Sequence, residues 1–80
     1  MNDPIIELDV HGMTLVQACV AVDAALRRSK GAYRIRVIHG YHGGTALRDA
    51  VRERYAANAK VRRIELGLNP GQTDLVLREF

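Results

Sequence analysis

Three histidines, His11, His39 and His42, are the side chains of this 80-residue chain best suited to exchanging protons near neutral pH. Two of them fall in the stretch Ile38 to Arg48, which also holds Gly40, Gly43 and Gly44, where backbone can approach a ligand closely, and Thr45, which can cap a helix. A loop of this kind leading into a helix start presents unpaired N–H groups and the positive end of a dipole, an arrangement suited to phosphate or another anion. The same pattern also serves an ordinary strand-to-helix turn, because isolated glycine motifs are weak signals. His11, followed by Gly12, repeats the device upstream, with Thr14 as its cap and Asp9 two residues before the imidazole.

Phosphodiester cleavage is the chemistry these residue types can perform together. It needs a base for the nucleophile, an acid for the leaving oxygen and positive charge on the phosphoryl oxygens. His11 and His39 can fill the first two roles, Asp9 can orient His11, and Arg48, Arg52 and the loop N–H groups can fill the third. Two alternatives remain open: a divalent cation held by Asp9, His11, His39 and His42, and histidines that are merely structural. No tight ligand spacing and no cofactor motif is present, so the primary expectation is chemistry without a cofactor. Tyr41 can stack on a base or cover the loop.

These groups need a scaffold, and alternation supplies most of it. Ile5 to Val10 reads as a strand with Ile6, Leu8 and Val10 on one face and Glu7, Asp9 and His11 on the other. One apolar face implies a sheet covered on a single side. Thr14 and Gln17 form a capping box for a helix running to about Lys30, with Leu15, Ala18, Cys19, Val22, Ala25 and Leu26 as its buried stripe and Gly31 as terminator. Tyr33 to Ile38 is a second strand that delivers His39 at its end. A strand–helix–strand crossover makes the two strands parallel, so both His-Gly corners emerge at the carboxyl edge of the sheet, where open α/β domains place ligands. A second helix spans about Ala46 to Asn58, with Leu47, Ala50, Val51 and Tyr55 inward and Arg48 and Arg52 on another face. Val61 to Leu68 and Thr73 to Arg78 form a hairpin about the turn Asn69 to Gln72. Ile64, Leu66, Leu68, Leu75 and Leu77 face the helices. The open face collects Glu7, Asp9, Arg34, Arg36, Arg63 and Glu65, read primarily as a solvated ion-pair lattice. The fold class is therefore α/β: a two-layer βαβαββ sandwich, with a mixed four-stranded sheet and two helices on one face.

Composition bounds the rest. Residues 1–80 make one small domain. A hydrophobic fraction of 48% with 26% charged residues excludes a disordered chain. No signal peptide or membrane-length segment is evident, so a cytoplasmic location is expected and no membrane partner. The lone Cys19 reads as a reduced, buried thiol. Net charge is +3, and ten of the twelve basic residues are arginines, which favours an anionic partner.

With the pieces placed, Leu8-Asp9-Val10-His11-Gly12 resembles the Leu-Asp-Leu-His-Gly signature of the Smr (small MutS-related) domain. His39-Gly40 through Leu47-Arg48 resembles that family's second signature, a His-Gly-x-Gly-type loop followed by Leu-Arg. The usual loop alternates its glycines around a basic residue, whereas Tyr41 and His42 stand here before adjacent glycines. The resemblance covers essentially the whole chain and implies a fold similar to the carboxyl-terminal domain of translation initiation factor 3. It implies nucleic-acid binding, to DNA or RNA, and in some members endonuclease activity. It points to Asp9 and His11 in the first signature, and to His39, Gly40, Gly43 or Gly44, and Arg48 in the second. With the residue reading, the candidate set is Asp9, His11 and His39 for catalysis, and Gly12, Gly40, Tyr41, His42, Gly43, Gly44, Thr45, Arg48 and Arg52 for phosphate. The alternative is a non-catalytic nucleic-acid-binding or adaptor module, as a homodimer or within a larger repair or translation assembly.

Overall fold

The computed structural model describes residues 5–40, 46–66 and 71–78. Its elements run β1 (Ile5–Asp9), α1 (Leu15–Arg27), β2 (Arg34–Ile38), α2 (Ala46–Ala56), β3 (Arg63–Glu65) and β4 (Gln72–Val76). The strands form one sheet in the order β1-β2-β4-β3. β1 and β2 are adjacent and parallel, in register from Ile5 opposite Arg34 to Asp9 opposite Ile38. β4 runs antiparallel to both β2 and β3, so the hairpin inserts its second strand into the middle of the sheet.

The period-two pattern sorts the faces. Val10, Ile35, Val37 and Leu75 are fully buried against Ala18, Val22 and Ala25 of α1 and Val51 and Tyr55 of α2, and Ile6, Leu8 and Ile64 pack at the margin of this core. The capping box at α1 forms as its sequence implies: Gln17 N–H donates to Thr14 Oγ1 at 3.2 Å, and Thr14 N–H donates to Gln17 Oε1 at 3.0 Å. Such a cap contributes about 1 kcal/mol. The two helices are tied by Tyr55, whose hydroxyl donates to Asp23 Oδ1 at 2.7 Å. Burial, reinforced by the neighbouring Asp23 carboxylate, pushes the Tyr55 phenol well above its ordinary range.

Several boundaries differ from the sequence reading. Helix α1 ends at Arg27 rather than Lys30, because Arg28 caps it and Ser29 turns back, its hydroxyl donating to the Leu26 carbonyl at 2.7 Å. Leu15, expected in the core stripe, is 49% exposed in the first turn, and Cys19 is half-buried. Strand β3 is only three residues long, and Leu66, expected to face the helices, is 51% exposed just beyond it. At the edge of the sheet β3 has one partner strand, so alternation past Glu65 finds no helix to cover it. Leu68 and the turn residues Asn69 and Pro70 lie outside the described residues.

The open face does form an ion-pair lattice, but its hub is Asp74, a residue of the central strand. Although 5% exposed, Asp74 accepts from Arg34 Nη1 at 2.6 Å and from Arg36 Nε at 3.2 Å. Arg34 also pairs with Glu65 at 3.0 Å, and Glu65 with Arg63. These contacts hold both β2 guanidiniums above their ordinary pKa and, chiefly through Arg63, hold the Glu65 carboxyl below its own.

Candidate functional site

Parallel pairing of β1 with β2 brings the two His-Gly corners side by side. Val10 N–H donates to the Ile38 carbonyl at 2.9 Å, continuing the ladder to the point where both strands turn. Gly12 and Gly40 have φ of +77° and +76°, a region in which an L side chain costs roughly 1–2 kcal/mol. A Cβ on Gly40 would stand 3.5 Å from the Cβ of His11, so the first corner rests on the second. Between β3 and β4, Gly71 completes the edge. Its carbonyl accepts from both His39 N–H, at 3.0 Å, and Gly40 N–H, at 2.9 Å. Gly40 therefore supplies a conformation here and not a free anion donor.

The imidazoles separate to opposite faces. His11 continues the open face and is solvent-exposed, its ring against the Asp9 carboxylate through Nδ1, while its backbone N–H donates to Asp9 Oδ1 at 3.1 Å. These contacts hold the Asp9 carboxyl below its ordinary value of 3.8. Because an ionised carboxylate only accepts, Nδ1 carries a proton, and whenever the ring is neutral Nε2 is its basic nitrogen.

His39 continues the helix-covered face and is 5% exposed. Its Nδ1 lies 2.9 Å from the Gly40 carbonyl, and its Nε2 lies 2.9 Å from Thr73 Oγ1. A carbonyl can only accept, so Nδ1–H is the donor, and Nε2 of the neutral ring accepts from the Thr73 hydroxyl. That hydroxyl in turn accepts from Arg52 Nε at 3.1 Å. The donors thus run in one direction, from Arg52 through Thr73 and His39 to Gly40, and lock the second corner to β4 and α2. Both His39 nitrogens are occupied.

Arg52 is half-buried and forms no ion pair with a described acid, so the rest of its guanidinium is available beside the His-Gly edge. Arg48, one turn earlier, is partly neutralised by Asp49, 3.0 Å from its Nε. The remaining sequence candidates, Tyr41, His42, Gly43, Gly44 and Thr45, lie outside the described residues. Among the described residues no group of three or more metal-binding side chains gathers, and His42, the fourth ligand of the cation alternative, lies outside them. The structure adds Gly71 and Thr73, neither of which has a chemical signature in sequence. The only cue was that β4 alternation leaves Thr73 on the same face as Leu75.

Two corners of this kind on the carboxyl edge of a βαβ unit, closed by an antiparallel hairpin, define a two-layer α/β domain with both histidine corners at one end of the sheet. The Smr domain family model matches residues 8–71, and the chain belongs to that family. The chain is also similar to the crystal structure of the Smr domain of Thermus thermophilus MutS2, with 31% identity and a TM-score of 0.82, over 92% of this chain and 99% of that one. Comparison with curated proteins gave no match. No helix among the described residues is long and apolar enough to cross a membrane.

Proposed function

We propose that this Smr domain binds nucleic acid at the His-Gly edge and cleaves a phosphodiester bond there, with His11 as the general base. The observation that carries this reading is the exposed Asp9–His11 pair, in which the carboxylate fixes the tautomer and leaves Nε2 for the nucleophile's proton. Water or a 2′-hydroxyl gives that proton to Nε2 as its oxygen bonds to phosphorus. The bond to the leaving oxygen breaks, and that oxygen takes a proton from the imidazolium or from water. Arg52, anchored through Nε, turns its remaining N–H groups to the phosphoryl oxygens, and Arg48 adds charge from the next turn. His39 acts as a positioning residue through Gly40 and Thr73 rather than as the second acid–base group.

A second reading, a binding module without catalysis, is favoured by the same burial of His39, since among the described residues no second imidazole with a free nitrogen stands beside His11. The deciding experiment incubates the protein with end-labelled supercoiled DNA and with structured RNA, with and without chelator, beside His11→Ala. Cleavage abolished by the substitution, with binding retained, establishes the enzyme, and the chelator arm decides the metal question. Intact substrates at concentrations that give a gel shift leave the binding module.

A further inference from the structure

Charge is distributed unevenly over this molecule. Arg34, Arg36, Arg48, Arg54 and Arg63 each contact a carboxylate within 4 Å. Five other cations, Arg27, Lys30, Lys60, Arg62 and Arg78, converge on a cleft of about 660 Å³ at the end of the sheet opposite the His-Gly edge. None of the five forms an ion pair with a described acid, and the described residues lining the cleft include no Asp or Glu. Its floor is apolar, with Leu26 from α1 and Leu77 following β4.

The fold makes this convergence. The α1–β2 and α2–β3 connections and the end of β4 all meet at the amino end of β2, where Leu77 N–H and Arg78 N–H both donate to the Tyr33 carbonyl, at 2.7 and 3.2 Å, and Arg62 N–H donates to Val76 at 2.8 Å. Arg27 and Lys30 suit the carboxyl end of α1, where a cation complements the helix dipole. That explanation does not extend to Lys60, Arg62 and Arg78, which follow or lie outside the helices. Like charges brought together with no described acid among them repel one another, and a polyanion relieves that repulsion.

We propose that this cleft is a second binding site for a nucleic-acid phosphate backbone, separate from the His-Gly edge. The proposal rests on the reading of the domain as a nucleic-acid binder but not on its catalysis. Both helices turn their carboxyl ends this way, so no helix start with unpaired N–H groups faces the cleft, which disfavours a single enclosed phosphate. Long cationic side chains from four segments suit the outer oxygens of a strand passing over the cleft. The five residues of β2 separate the two ends by roughly 16 Å at about 3.3 Å per residue. That span corresponds to roughly five base-pair steps along a duplex axis at about 3.4 Å each, so one bound nucleic acid can engage both ends.

The test measures affinity for a single-stranded RNA oligonucleotide and for a DNA duplex as a function of salt. It compares the wild-type chain, a Lys60→Gln/Arg62→Gln double variant, an Arg27→Gln/Lys30→Gln double variant and Arg52→Gln. All four cleft positions replaced are exposed, and unchanged thermal unfolding confirms that those variants fold. Each lost contact is expected to weaken binding on the order of tenfold at about 0.1 M salt and to lower the salt slope by about one. Cleft variants that bind with wild-type affinity and slope, while Arg52→Gln weakens binding, overturn the second site and leave the edge reading standing. Loss in the cleft variants with Arg52→Gln unaffected supports the cleft and removes the edge as the binding surface. A wild-type chain that binds neither probe at low salt overturns both.

Discussion

The two ends of the sheet use polar groups in opposite ways. At the carboxyl edge the described polar groups are tied to one another: Asp9 to His11, Gly71 to two N–H groups, and Thr73 to both Arg52 and His39. At the amino end five cations stand on flexible stems with no carboxylate partner among the described residues. Chemistry demands the first arrangement, because a base must be held within a fraction of an ångström of its proton, and preorganised groups need no rearrangement as charge develops. Backbone binding tolerates the second, because phosphate attraction is electrostatic and largely indifferent to register. The contrast teaches that rigidity and charge are separable here, and on the proposed reading each end should be disabled alone.

The largest expected effect breaks the edge. His11→Ala should lower any cleavage rate by about 10²- to 10⁴-fold, the usual range for a general base, while affinity changes little. Single-turnover kinetics at saturating enzyme separate the two quantities. Next comes charge at the other end. Lys60→Gln with Arg62→Gln should alter affinity and salt slope as stated above, yet leave cleavage at saturation and urea stability within about 0.5 kcal/mol of the wild type, as exposed positions usually do.

Thr73→Val sharpens the comparison, because it keeps the shape of a fully buried side chain while removing the hydroxyl between Arg52 and His39. Two nitrogens lose their partner, and a cost of about 1–3 kcal/mol in urea unfolding is expected. No exposed substitution at the cationic end should approach it. Gly12→Ala should cost about 1–2 kcal/mol from backbone strain alone, since open space surrounds the missing Cβ at φ +77°.

The smallest effect concerns pH. The folded pKa of Asp9 lies below 3.8, so its pairing with His11 favours folding at pH above that value and fades as the pH falls through the lowered pKa. Carboxyl chemical shifts followed by NMR should give an Asp9 midpoint below 3.8, returning toward the ordinary value in His11→Ala.

Much of this was legible in sequence, for local reasons. Alternation in Ile5 to Val10 placed Asp9 and His11 together on the uncovered face, since side chains two apart on a strand share a side. The Thr14/Gln17 cap lies within four residues and needs no tertiary partner. The two glycines after the histidines occupy positive φ, as a sharp exit from a strand favours. Boundaries were less legible, and β3 least. Its alternation continues past Glu65, but an edge strand has one neighbour and nothing in its own residues marks where that neighbour's cover ends.

Asp74 and Thr73 show what sequence could not reveal. They adjoin on β4, yet one anchors the open-face lattice and the other completes the buried chain behind His39. Their partners lie 38 to 40 residues away for Asp74, on Arg36 and Arg34, and 34 and 21 residues away for Thr73, on His39 and Arg52. Local pattern states which face a side chain takes, but not which strand becomes its neighbour. Sequence alone determined the element order, the faces, the capped helix and the two His-Gly corners, because each follows from sterics and hydrogen bonding among residues near one another along the chain. The insertion of β4 between β2 and β3, the seating of His39 against Thr73 and the gathering of five cations at the far end were decided only by the tertiary structure, because strand pairing and charge clustering depend on contacts among distant residues that no local rule specifies.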